Sequence, residues 1–334
     1  MFGEPRAMPR KLVLAAVLSI AIASNVRAVA VSPVALYIDS RSRTGTLQLY
    51  NPGSRPEEIE VGFAFGYPVS DEAGTVTVPL SETAPAGEPS ALEWLRAFPR
   101  RLVLEPGQRQ TVRVLVEPPS GLPGGEYWAR VLVRSRGGQP PIEERRGDVT
   151  VQIDVETVVV VALNYRNGKV ETGVRVTGAT AERGPASAVG GAAASVASAA
   201  GGTTAAAGST TTAAGSTTAA AGRTTMASGG GGSATLGPAA PNIVYATVDL
   251  ERLGNAAYIG AIRAQLLDAR GRAIGDEADE VLAVYHGIRR RFALQVPPGA
   301  EPARVRFTID SRRDDLPPGA ALATGSVTHT TDIR

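Results

Sequence analysis

Short runs in which every second side chain is apolar recur along most of this chain, and clusters of turn residues cut each run off. A period of two fits a pleated strand with one buried face, whereas a helix needs a period near 3.6. Leu47 and Leu49 alternate and stop at Asn51-Pro52-Gly53. Ile59, Val61, Phe63 and Phe65 form the next run, and Val76 and Val78 stop at Pro79. Leu102 and Leu104 precede Glu105-Pro106-Gly107, and Val112, Val114 and Val116 precede Pro118-Pro119. Residues 127–133 follow, and residues 149–165 are the last and longest run. About seven or eight short strands separated by turn signals predict an antiparallel β-sandwich. Only residues 90–98, with Leu92, Trp94 and Leu95, suggest a short helical turn.

The composition then changes. Between residues 184 and 248 the sole charged side chain is Arg223, and the seven-residue units TTAAAGS, TTTAAGS and TTAAAGR repeat in tandem over 203–223. Such a stretch has almost nothing large to bury against the entropy of ordering, so 184–240 reads as a disordered, low-complexity insertion. Strand patterning returns over 241–334, most cleanly where Val305, Phe307 and Ile309 alternate with Arg304, Arg306 and Thr308. Residues 167–183, with Val170, Val174 and Val176, are expected to supply the first strand of this second unit. The insertion would then interrupt the second domain between its first two strands, at an entropic cost that grows only logarithmically with length.

The N-terminus reads as an address. Residues 1–11 are short and positive, 12–24 are apolar, and Val26-Arg27-Ala28 offers residues a leader peptidase accepts. This predicts a signal peptide over 1–28 and export to the periplasm or the cell surface. The apolar run is well short of the roughly 20 residues that cross a bilayer. The leader holds Arg6, Arg10, Lys11 and Arg27 against Glu4; taking these from 34 basic and 32 acidic side chains leaves 30 and 31. That near-neutral balance argues against a nucleic-acid partner.

Chemistry is hard to find. The chain has no cysteine, which excludes disulfides, thiolate metal sites and a cysteine nucleophile. Two histidines, His286 and His329, leave little room for a histidine metal cluster or a serine triad. There is no phosphate-binding loop, dinucleotide fingerprint or zinc-protease motif, so neither an enzyme, a cofactor nor a small-molecule substrate is expected. Asp276, Glu277, Asp279 and Glu280 lack the ligand spacing of a calcium loop and read as a solvated turn. Arg289-Arg290-Arg291 reads as a charged face, and His286 as a polar residue at a strand end. Glu57-Glu58 and Glu143-Glu144 resemble paired carboxylates but bring no partner base.

One strand carries more than structure. Val149, Val151, Ile153 and Val155 fall on one face, opposite Thr150, Gln152, Asp154 and Glu156. Such a strand suits a sandwich core, and at an edge it also suits β-augmentation, in which ladder bonds give affinity and alternate side chains give specificity. Here the chain resembles the PapD-like periplasmic pilus-assembly chaperones. The resemblance lies in residues 29–39 and 46–51 as the first two strands, in the stretch 101–114 with its Leu104-Glu105-Pro106-Gly107 turn before a strand ending Val112-Arg113-Val114, in Leu122-Pro123 leading into Glu126-Tyr127-Trp128, and in the 149–155 alternation with its exit at Leu163-Asn164-Tyr165-Arg166. It implies an all-β fold of two immunoglobulin-like domains, 29–166 and 241–334 with the 167–183 strand. It also implies a chaperone that donates Val149, Val151, Ile153 and Val155 to a secreted pilin-like or β-rich subunit, with an outer-membrane usher as a further partner. The family anchors the subunit's terminal carboxylate with an arginine and a lysine, whose places fall near Ala35 and Ala162 here. Arg166 is the substitute the sequence offers, because a guanidinium suits a carboxylate. The alternative is a structural or adhesive immunoglobulin-like surface protein that uses the Ala/Thr/Gly segment as a spacer.

Overall fold

The computed structural model describes residues 29–138, 142–146, 149–153, 155–185, 242–311, 322 and 325–334. The leader and most of the low-complexity insertion lie outside the described residues. The described chain is all β apart from a single 3-10 turn, Leu92–Trp94. No helix among the described residues is long and apolar enough to cross a membrane.

The first half contains β1 (Ala30–Ser32), β2 (Ala35–Asp39), β3 (Thr44–Tyr50), β4 (Glu57–Ala64), β5 (Val69–Ser70), β6 (Val76–Thr77), β7 (Leu95–Phe98), β8 (Arg101–Leu104), β9 (Arg109–Val116), β10 (Gly125–Arg136), β11 (Ile142–Arg146), β12 (Val149–Ile153) and β13 (Glu156–Asn167). One sheet runs β1-β3-β9-β7 and the facing sheet β2-β13-β10-β4-β8. The alternation seen in the sequence becomes the core between them. Leu47, Leu49, Val112, Val114 and Val116 from one sheet meet Ile59, Val61, Val131, Val133, Leu163 and Tyr165 from the other, all buried. The first strand is split by Pro33-Val34, so β1 pairs with β3 in one sheet while β2 runs parallel to β13 in the other.

The second half contains β14 (Thr172–Pro185), β15 (Asn242–Gly254), β16 (Tyr258–Leu267), β17 (Ala273–Val284), β18 (Gly287–Gln295), β19 (Arg304–Asp310) and β20 (Ser326–Asp332). Its sheets are β14-β15-β18 and β17-β16-β19-β20. Val244, Ala246, Val248, Ile288, Phe292 and Leu294 pack against Ile262, Leu266, Leu282, Val305, Phe307 and Ile309. The chain is therefore two immunoglobulin-like sandwiches in series. β14 and β15 are antiparallel neighbours, and Pro185 is the Cα partner of Asn242. The residues between those two positions thus leave and rejoin the fold at one point.

Several local expectations change. Residues 95–98 form strand β7, because Leu95 and Ala97 are buried beside β9 in the sheet. The run over 149–165 is two strands, β12 ending at Ile153 and β13 resuming at Glu156. The acidic residues 276–280 lie within β17, an edge strand, and not in a turn; charge on an edge blocks unwanted pairing. β20 was not anticipated, since Val327 is its single aliphatic residue among Ser, Thr, His and Asp.

Candidate functional site

The β10–β13 hairpin organises the site. The two strands pair over their whole length, from Gly125 with Asn167 to Arg136 with Glu156. Beyond that point the hairpin continues as a ribbon of β11 and β12, in which Ile142 partners Ile153 and Arg146 partners Val149. The candidate donor residues Val149, Val151 and Ile153 therefore sit on a two-stranded arm outside both sheets. Val155 joins the arm to β13 and is exposed.

On its other side β13 pairs with β2 only from Ala162 to Arg166. Among the described residues, positions 156–161 have no strand partner along that edge. Val161, Leu163 and Tyr165 point into the core, and Val160, on the opposite face, is 40% exposed. Ala35 and Ala162, where the resemblance places an anchoring pair, are Cα partners across β2 and β13. Both side chains are methyl groups, so no cation stands at either position.

Arg166 lies four residues further along β13 and already holds a carboxylate. Its Nε donates to Glu126 Oε2 at 2.8 Å, and its guanidinium lies 4.7 Å from the centre of the Tyr37 ring. The Glu126 side chain is fully buried and that of Arg166 is 11% exposed. Glu126 Oε1 also accepts hydrogen bonds from Trp128 Nε1 (3.1 Å), Asn164 Nδ2 (3.2 Å) and the backbone N–H of Ala257 (3.0 Å). The last of these comes from the second sandwich, so one carboxylate ties β10, β13 and the other domain together.

Around it lies an aromatic junction. Trp128 meets Tyr285 edge-on at 4.8 Å, Tyr67 stacks on Tyr285 at 5.6 Å, and Tyr285 Oη donates to Asn164 Oδ1 at 3.2 Å. His286 Nε2 lies 3.0 Å from Glu88 Oε2, and Tyr67 Oη donates to Glu88 Oε1 at 3.1 Å. Burial and the neighbouring Glu88 both push the Tyr67 phenol above its ordinary range. The β5–β6 hairpin reaches across as well, where Arg289 N–H donates to Ser70 Oγ at 2.7 Å.

The cations of this region are held internally. Arg130 Nε donates to the Gly66 carbonyl at 2.8 Å, and Arg252 donates to the carbonyls of Tyr285 and Gly254. Each arginine of the 289–291 run has its own partner. Arg289 pairs with Asp249 at 2.7 Å, Arg290 pairs with Glu280, and Arg291 lies 4.5 Å from the centre of the Tyr245 ring. Among the described residues no group of three or more metal-ligating side chains converges.

Sequence reasoning missed the junction. Glu126-Tyr127-Trp128 is legible as part of a strand, but the partners of Glu126 lie at positions 164, 166 and 257, far apart in the chain. A usable signal was the polar and aromatic content of the outward face of β10, Glu126, Trp128 and Arg130, opposite an apolar inward face.

No family model matches the sequence, and no curated protein matches it. Among solved structures the chain is similar to one of the Salmonella enterica SafA pilin in complex with the SafB chaperone. That match has 10% identity and a TM-score of 0.41, and covers 92% of this chain and 99% of the other. It is similar to the CsuC–CsuE chaperone–tip adhesion subunit complex of Acinetobacter baumannii, with 10% identity, a TM-score of 0.35 and coverage of 92% and 98%. It is also similar to the E. coli chaperone DraB, with 10% identity, a TM-score of 0.36 and coverage of 92% and 97%.

Proposed function

We propose that this chain is an exported, non-enzymatic chaperone that holds secreted pilin-like or other β-rich subunits by strand donation from its first sandwich. The observation that carries this reading is the edge of β13 over residues 156–161, which has no strand partner among the described residues and follows in the chain the alternating apolar residues of β12. An edge of this kind is a hazard unless a partner uses it, and a subunit lacking a strand would take both its backbone groups and its alternate side chains. Val149, Val151, Ile153 and Val155 are the proposed donor residues. Arg166 is the proposed anchor for a terminal carboxylate, and it would have to exchange Glu126 for the incoming group. The ladder is therefore the main source of affinity in this reading. Release to an outer-membrane usher from the periplasm completes the role that the resemblance implies.

The test is affinity capture of the mature protein from the periplasm of its own host, with bound proteins identified by mass spectrometry. Ile153→Asp and Val160→Asp serve as controls whose folding is checked by circular dichroism. A small exported β-rich protein that co-elutes with wild type and is lost by at least tenfold from folded variants supports donation. Variants that fold and still bind would refute it. If neither wild type nor variants retain such a protein, the structural or adhesive surface module becomes the better account.

A further inference from the structure

Glu57 is the first residue of β4 and is 1% exposed. One carboxylate oxygen, Oε2, accepts the Ser135 hydroxyl from β10, and the backbone nitrogen of Val29 also donates to the carboxylate. Oε1 is buried and has no hydrogen-bond partner among the described residues. The backbone at Gly138 closes over the group, so that a Cβ there would lie 2.7 Å from Glu57 Cδ. Burial holds the carboxyl above the ordinary carboxylate range. A carboxylate so enclosed, with neutral donors alone, is a costly arrangement that a cation would correct.

Val29 is 2% exposed and packs in the first core. It is also the residue that follows Ala28, where the leader pattern places the cut. As part of a longer chain its nitrogen is an amide with a single hydrogen. As a chain end it is an ammonium with three hydrogens and a positive charge.

We propose that leader removal cuts between Ala28 and Val29 and that the new α-ammonium forms a buried ion pair with Glu57, locking the first sandwich after export. The cut is a hydrolysis by the cell's leader peptidase. Water adds its hydroxyl to the Ala28 carbonyl carbon as the C–N bond breaks, and its hydrogen goes to the Val29 nitrogen, which takes up one more proton from solvent. With three hydrogens, the ammonium can reach Oε1 and still keep the contact that the amide makes with the carboxylate. It also links the segment leading into β1 with β4, which belong to opposite sheets. The precursor, lacking this charge, keeps a weaker first domain until processing. The inference rests on the export reading.

The test uses the full mature chain released from a cleavable fusion so that it begins at Val29. It is compared with the same chain carrying Gly-Ser-Ala before Val29, and with Glu57→Gln in both contexts. The chain beginning at Val29 should have an unfolding equilibrium constant at least tenfold smaller than the extended chain, and Glu57→Gln should remove that difference. An amine-reactive ester supplies a second readout, because Lys169 is the one lysine after the leader and is well exposed. In the native protein the ester should mark Lys169 and spare the Val29 amine by at least tenfold relative to the unfolded chain. Equal stability of the two wild-type chains, or a freely labelled Val29 amine, would overturn the pairing. Intact mass of the protein from its host separates the two readings. An unprocessed cytoplasmic chain would overturn export and the cut together, whereas an exported chain beginning at another residue would overturn this inference alone.

Discussion

Replacing Glu126 by Gln tests whether one buried carboxylate couples the two sandwiches. The substitution keeps the size of the side chain and removes its charge. Arg166 then has a neutral oxygen where its carboxylate was, at 11% side-chain exposure. The amide also brings an NH2 group into a site that presents donors from Arg166, Trp128, Asn164 and Ala257, so at least one of these contacts becomes donor against donor. Breaking a buried ion pair by removing one partner costs about 3–5 kcal/mol, and a buried donor left without an acceptor costs about 1–3 kcal/mol. The effects share one group and do not add, so we expect a loss of about 3–5 kcal/mol. Urea unfolding followed by tryptophan fluorescence reads it. The chain has two tryptophans, and Trp94→Phe leaves Trp128 at the junction as the reporter. Because the Ala257 contact crosses between sandwiches, the variant should also unfold in two separated transitions, with Trp128 reporting the earlier one. Adding Arg166→Met, which removes the stranded charge, should recover part of the loss. A Glu126→Gln midpoint within about 1 kcal/mol of wild type, with an unchanged Trp128 spectrum, would refute the clamp.

Three further outcomes follow from other parts of the molecule. Replacing 186–241 by an Asn-Gly turn should preserve the fold, because Pro185 and Asn242 are direct partners; shortening the connection between them from 56 residues to two should stabilise it by about 2–3 kcal/mol, and loss of cooperative melting would refute that. Asp39 accepts the backbone N–H groups of Ser42 (2.7 Å) and Arg41 (2.9 Å), which hold its carboxyl below the usual carboxylate range. A depressed carboxyl contributes stability above its unfolded pKa of about 3.9 that is lost as pH falls through the folded value, so Asp39→Ala should lower the urea midpoint at neutral pH and match wild type in strong acid. A gap that persists unchanged in strong acid would show that Asp39 acts through packing. Tyr285→Leu removes two ring contacts of about 0.5–1.5 kcal/mol each and the Asn164 hydrogen bond; limited proteolysis should then cut between the sandwiches faster, and an unchanged rate would remove Tyr285 from the junction.

Much of this protein was legible as pattern. The period of two along Leu47 and Leu49, Val112 to Val116, and Val305 to Ile309 requires strands with one wet face, and those same residues are the buried ones. The boundary residues Pro52-Gly53 and Pro106-Gly107 end strands for local reasons of backbone geometry, which neighbours in sequence suffice to impose. The strand character of 326–332 had no such periodic signal and came from tertiary contacts, its pairing with β19 above all.

What tertiary structure decided is which polar groups meet. Glu126 reads as one charge in a strand, yet the fold brings Asn164, Arg166 and Ala257 around it. Glu57 reads as half of a pair of carboxylates with no partner base, yet the close approach of Gly138 and Val29 encloses it. Arg166 looks available in sequence and is engaged in space. Apolar burial follows from local periodicity, because every strand needs a dry face. The pairing of buried charges depends on contacts between positions tens to hundreds of residues apart, and only the folded chain selects those.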